Sequence, residues 1–135
     1  MARSRGLLQN EKGASAVEFV LAFPVLMIFI IGILQLGVLF SANAGLRQAV
    51  EEGARLATIF PIPDDTEIDA QITARVSNSK FGLVASRITG PTVAHGTSNG
   101  VNFVDVSMSY SVPLDFVLFT TAPVTLSYTR RAYQP

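Results

Sequence analysis

The sequence predicts an α+β protein: a long N-terminal transmembrane helix continuing out of the membrane, then a short amphipathic helix and a small antiparallel β-sheet. Three observations carry this prediction. Phe19 to Leu46 contains no charged residue. Residues 41–59 then continue without proline in good helix formers, and Pro61 and Pro63 supply the stop. Further on, apolar and polar residues alternate with a period of two, first over 104–112 and again from Val124. The 135 residues balance ten acids with ten bases, and 49% are hydrophobic. With only 15% charged residues the chain is too apolar to be disordered, and zero net charge removes the electrostatic footprint of a nucleic-acid binder. Without cysteine, and with His95 as the single histidine, neither a disulfide scaffold nor a Cys/His metal site can be built. No cofactor and no metal is expected.

The first element is the apolar run. Its 22 residues from Phe19 to Phe40 are interrupted only by Pro24, Gly32, Gln35 and Gly37. At about 1.5 Å per residue they reach roughly 33 Å, enough for a hydrocarbon core of about 30 Å. The segment before the run carries Arg3, Arg5 and Lys12 against Glu11, whereas Arg47, Glu51, Glu52 and Arg55 follow it. The positive-inside bias puts the N-terminus in the cytoplasm and the C-terminal part outside it. Ala42-Asn43-Ala44 has the small-x-small form of a signal-peptidase site, but the apolar run exceeds the roughly 7 to 15 residues of a secretory signal.

Glu18 stands at the cytoplasmic entrance of this run, where a carboxylate calls for a partner. Two placements satisfy it. Glu18 can lie in the headgroup layer, solvated or paired with Lys12. Alternatively, cleavage after Gly13 removes the basic leader and leaves a free amine on Ala14, a new cation one helical turn from Glu18 in the same subunit or a packed neighbour.

The string Gly13-Ala14-Ser15-Ala16-Val17-Glu18-Phe19 resembles the class III signal of type IV pilin-like proteins, cut after the glycine by a prepilin peptidase. Its continuation through Phe23-Pro24-Val25-Leu26, Gly32-Ile33-Leu34-Gln35-Leu36-Gly37 and Ala49-Val50-Glu51-Glu52-Gly53-Ala54-Arg55 resembles the TadE-like proteins. Those are minor pilins, or pseudopilins, of the tight adherence (Tad, or Flp) pilus system. Major Flp pilins typically place Tyr after the Glu and end soon after the helix. Here Phe19 follows, and a further domain remains, which favours a minor component. The resemblance implies a leader over residues 1–13, a processing site at Gly13 and Ala14, and a register role for Glu18 and Phe19. It also implies a prepilin peptidase, other pilins or pseudopilins and the Tad assembly platform as partners, beside membrane lipid. The implied location is a bacterial inner membrane, with incorporation into a surface pilus as a further step.

One rod is expected from about Ala14 to Ile59, completing a helical region over 14–60. Pro24 lies inside it, and membrane helices tolerate such a residue when neighbours re-satisfy the freed carbonyl. Gly37, Ser41, Gly45, Ala49 and Gly53 recur at fourth positions, a ridge of small side chains that lets a partner helix approach closely.

Residues 61–135 read as a small extracytoplasmic domain. Asp64, Asp65 and Glu67 suit a helix start, and Ile68, Ile72 and Val76 give that helix one apolar face, ending near Ser79 to Gly82. With Asp69, these acids are read as a capped, solvated helix start and not as a cation site. Val104, Val106, Met108, Tyr110 and Val112 form one face of a strand, and Asn99-Gly100 marks the turn before it. Arg87 to Ala94 is the expected partner strand, with Pro91 making it an edge or an irregular one. Val124, Leu126 and Tyr128 begin a third strand, so that one face of the sheet is covered by the short helix or the rod. Between the last two strands, Phe116 and Phe119 are expected to complete the core. The rival is an exposed patch for a pilin partner or the membrane surface.

No catalytic constellation is legible. His95 sits in a Gly/Ser/Asn-rich stretch and is expected to be a solvated loop residue, and Arg130 and Arg131 read as charged edge residues. The expected function is therefore pilus assembly and not enzymatic catalysis. A single-pass envelope binding module, with the helix as a mere anchor, is the alternative.

Overall fold

The computed structural model describes residues 11–59, 61–77, 81–116 and 119–134. Helix α1 runs unbroken from Glu11 to Leu56 with Pro24 inside it. It ends ahead of the prolines because Thr58 turns back on it: the Thr58 hydroxyl and amide both donate to the Arg55 carbonyl, at 2.7 and 3.1 Å. The Gln134 side-chain amide donates to the Ala57 carbonyl at 3.2 Å, satisfying another acceptor at this helix end. The leader expected over residues 1–13 lies outside the described residues except for its last three positions.

Helix α2, Asp65–Ser77, follows the predicted pattern, with Ile68, Ile72 and Val76 buried. Asp64 precedes it and accepts the Asp65 amide on its carboxylate at 2.8 Å, while its carbonyl receives the amides of Glu67 and Ile68. These bonds occupy donors that the first helical turn leaves open.

The sheet has three antiparallel strands, β1 (Ile88–Ser98), β2 (Val101–Val112) and β5 (Val124–Tyr133), in the order β1-β2-β5. Asn99 and Gly100, with φ of 52° and 78°, make the two-residue turn between β1 and β2. Both take the left-handed conformation that matches the twist of a hairpin. The partner strand is longer than expected. It continues past Ala94 to Ser98, because the tight turn carries the ladder up to Ser98 opposite Val101. His95 is therefore a strand residue opposite Val104 and not a loop residue. Pro91 stands where the register shifts between Thr89 and Thr92, beside Gly90 at φ 100°, on the edge strand that tolerates a missing donor.

One sheet face carries the core. Val104, Val106, Met108, Tyr110 and Val112 point inward from β2, and the alternate Asp105, Ser107, Ser109 and Ser111 point away. Both helices cover this face: α2 contributes its apolar stripe, α1 contributes Ala42, Leu46, Ala49, Val50 and Ala54, and the turn after α1 adds Ala57. That α1 series follows a three-and-four spacing, so one stripe of its C-terminal third packs on the sheet. Each fully buried Val, Leu or Ile contributes about 1.5–3 kcal/mol of apolar transfer.

Two short strands, β3 (Asp115–Phe116) and β4 (Phe119–Thr120), pair antiparallel in a separate hairpin. Phe116 and Phe119 therefore do not complete the core. Their rings stack on each other at 4.9 Å between centroids, Phe119 is 52% exposed, and neither belongs to the buried cluster. Paired with each other across their own hairpin, the two residues leave the three-stranded sheet instead of filling its face.

Candidate functional site

The long helix divides by its surroundings. Beyond Ala42 it alternates buried and exposed residues as a domain helix does. Before that point most of its large apolar side chains from Val17 to Phe40 are bare, with Phe19 63% and Phe29 69% exposed. Among the described residues this is the one helix long and apolar enough to cross a membrane. Water is a poor solvent for such a band, which calls for lipid or a protein neighbour.

Gly13, Ala14, Glu18 and Phe19 all lie in the first turns of α1, so the expected processing site is helical and continuous with the apolar band. Glu18 is exposed, and the Phe19 ring packs one turn on against Phe23 at 5.8 Å between centroids. An uncharged helix face therefore begins immediately beside this carboxylate.

The ridge of small residues is split. A Cβ on Gly45 would stand 2.9 Å from Phe81 Cβ and 3.0 Å from Leu83 Cδ1. On Gly53 it would stand 2.7 Å from Ile72 Cγ1 and run into the Cδ1 of the same side chain. Ala49 is buried in the core, and the Ser41 hydroxyl donates to the Phe81 carbonyl at 3.3 Å. Close approach is thus used, as the small residues require, but the partner of Gly45, Ala49 and Gly53 is the chain's own domain. A Cβ on Gly37 would meet no other part of the described chain within 4 Å. The split follows from geometry: each step of four residues overshoots a full turn by about 40°, so the row drifts about 160° around the helix from Gly37 to Gly53.

Several polar contacts were not legible as sites in the sequence. The Gln35 side-chain amide donates to the Asp115 carbonyl at 2.7 Å, tying the β3–β4 hairpin to the apolar half of α1. Tyr128 donates its hydroxyl to Glu51 at 3.2 Å beneath the Arg47 guanidinium, 5.1 Å from the ring centroid, and so locks β5 to the helix. On the outer sheet face Arg131 grips Asp105 with two bonds of 2.8 Å and lies over the Phe103 ring at 3.7 Å. Its hydrogen bond to Asp105 holds that carboxyl below its ordinary range and raises the Arg131 guanidinium, which lies far above neutrality already. Arg131 is thus a cross-strand partner of Asp105, opposite it in the β2–β5 ladder. The outward phase of Asp105 and Arg131 is readable from the alternation, but their pairing depends on a register that the long β2–β5 connection conceals.

His95 Nε2 and Asp65 Oδ1 lie 2.8 Å apart and link the start of α2 to β1. Beside them His95, Gly96, Thr97, Asn102, Phe103 and Gln134 line a shallow groove of about 350 Å³. Among the described residues no group of three or more His, Cys, Asp or Glu side chains is placed to hold a metal ion.

The surface that stands out is therefore the N-terminal half of α1, and here a comparison with known families decides. Residues 13–55 match the family model described as TadE-like protein. Over its long helix the chain is similar to the TadE-like proteins. The matched segment starts at Gly13, covers Glu18 and the whole apolar band, and closes one residue before α1 ends. The TadE-like segment thus includes the stripe that packs on the domain, while α2 and the sheet lie beyond it. No curated protein and no solved structure matches the chain significantly.

Proposed function

We propose that this chain is a membrane-anchored minor pilin or pseudopilin in Tad pilus assembly, made as a prepilin and cut after Gly13 by a prepilin peptidase. The observation that carries the proposal is the coincidence of the TadE-like match with one unbroken helix whose first half is bare and apolar while its last third belongs to a folded domain. In this reading the helix spans the inner membrane with its N-terminus in the cytoplasm and the sheet domain outside. Cleavage removes the basic leader that holds the helix in place and creates the Ala14 amine. Glu18 then attracts the Ala14 amine of a neighbouring subunit and sets the axial register, while the exposed apolar face supplies packing to other pilins or pseudopilins. The chain performs no catalysis in this scheme; its chemistry is that of recognition and assembly.

Mass spectrometry of the protein purified from its own host tests the first step, with Ala14 expected as the first residue. Met1 or Ala2 there would refute processing and leave the tethered binding module. Glu18→Ala is expected to be processed, since Gly13 and Ala14 are intact, and to abolish pilus assembly; normal pili from that strain would refute the register role.

A further inference from the structure

We propose that the β3–β4 hairpin is a second membrane contact, an interfacial wedge that rests Phe116 and Phe119 in the outer leaflet beside the helix. The inference rests on the reading of α1 as a membrane span. Its first support is the height at which the hairpin meets the helix. Asp115 accepts the Gln35 amide through its carbonyl, and one turn closer to the helix N-terminus the Phe116 ring edge comes within 4.0 Å of where a Cβ on Gly32 would stand. If the apolar run enters hydrocarbon at Phe19, Gly32 and Gln35 lie about 20 and 24 Å along the axis. The core is about 30 Å thick, so both positions fall about 6–10 Å short of its outer boundary. That depth is the one at which interfacial apolar elements bury themselves, about 5–10 Å below the headgroups.

Direction gives the second support. Asp115 meets the shallower Gln35 and Phe116 the deeper Gly32, so β3 descends along α1 toward its N-terminal half. The polar residues of the hairpin sit at its open end, where the Thr121 amide and hydroxyl both reach the Leu114 carbonyl. Asp115 and Thr120 face each other next, and the stacked phenylalanines follow. The hairpin thus runs from polar to apolar residues in the direction of the bilayer interior. Gln35 has a matching role: a side-chain amide inside an apolar run would otherwise leave its donors unmet, and the Asp115 carbonyl would lack a partner at membrane depth.

The choice of lipid over a protein partner follows from continuity. The aromatic pair adjoins the exposed apolar band of α1 at the same height, and around a spanning helix that height is filled by acyl chains.

The chain contains no tryptophan, so a single introduced Trp reports alone. The full chain carrying Phe119→Trp, Phe29→Trp or Val101→Trp is reconstituted in phosphatidylcholine/phosphatidylglycerol vesicles. Their acyl chains carry bromine either near the headgroup or near the chain end. The wedge predicts blue-shifted Phe119→Trp emission that loses more intensity to headgroup-proximal than to chain-end bromine. Phe29→Trp should show the opposite preference, and Val101→Trp should answer only to acrylamide. Phe116→Trp repeats the measurement if Phe119→Trp does not fold. Phe119→Trp emission that follows Val101→Trp, or that neither bromine nor acrylamide quenches because protein covers it, overturns the wedge while the span stands. Loss of lipid quenching at Phe29→Trp overturns the span and the wedge together.

Discussion

Gly53 offers the sharpest test of how α1 serves the domain. A methyl group there would press on Ile72, whose side chain is almost wholly buried and whose Cγ1 and Cδ1 lie closer to the added Cβ than real Cβ contacts allow. In a free helix Gly53→Ala would gain about 1 kcal/mol from helix propensity. Against a close-packed neighbour it forces a shift that costs about 1–3 kcal/mol. The balance is a net loss of up to about 2 kcal/mol, set by the packing estimate less the propensity gain. Ile72→Ala removes both crowded atoms, Cγ1 and Cδ1, and costs about 2–5 kcal/mol alone. In that background Gly53→Ala should lose most of its penalty, so the double variant should be more stable than the two single losses combined by about 1 kcal/mol or more. The assay is urea unfolding of the full chain in detergent micelles, followed through the tyrosine ellipticity. Additivity to within about 0.5 kcal/mol would refute close packing of α2 on Gly53.

Two further outcomes follow from the same packing and from the outer face of the sheet. Gly45→Leu should lower the unfolding midpoint by an amount equivalent to about 1–3 kcal/mol, because Phe81 and Leu83 occupy the space; an unchanged midpoint would free this glycine for a partner helix. Because Arg131 holds the folded-state Asp105 carboxyl below its ordinary value of 3.8, the pair stabilises the fold above that pH, and its contribution fades as the pH falls through 3.8 toward the lower folded value. Denaturant midpoints of the native chain and of Asp105→Asn should therefore converge as the pH drops from 7 to 3, and a gap that stays constant would show that Asp105 does not act through its charge.

Much of the fold was readable because local and tertiary preferences agree. The strict alternation from Val104 to Val112 became the buried spine of the sheet, and Ile68, Ile72 and Val76 became the covered face of α2. Asn99-Gly100 fixed the hairpin because few residues accept two successive left-handed conformations. His95 was misplaced for the converse reason: Gly96, Thr97 and Ser98 look like loop residues, and only the ladder to Asn102 and Phe103 makes them strand. Gly96 owes its place to the Phe103 ring, which occupies the volume where a Cβ would stand. Phe116 and Phe119 look like core residues by composition, yet the core was already closed by two helices. The ridge of small residues showed where a close neighbour lies, though not whether that neighbour belongs to the same chain. At the candidate site, the Glu18 carboxylate and the apolar band were plain in the sequence, whereas the Gln35–Asp115 link joins residues 80 positions apart and left no local trace.

The unbroken course of α1 makes its lower half and the sheet one mechanical body. About thirteen helical turns, about 3.6 residues to each, join them, and within this helix the ladder lacks a backbone donor at Pro24 alone. A pull or a twist applied near Glu18 is delivered along the shaft to Leu46, Val50 and Ala54, and through them to the central strand. Whatever machinery grips the foot of this protein moves the head with it, as a key turns in one piece from bow to bit.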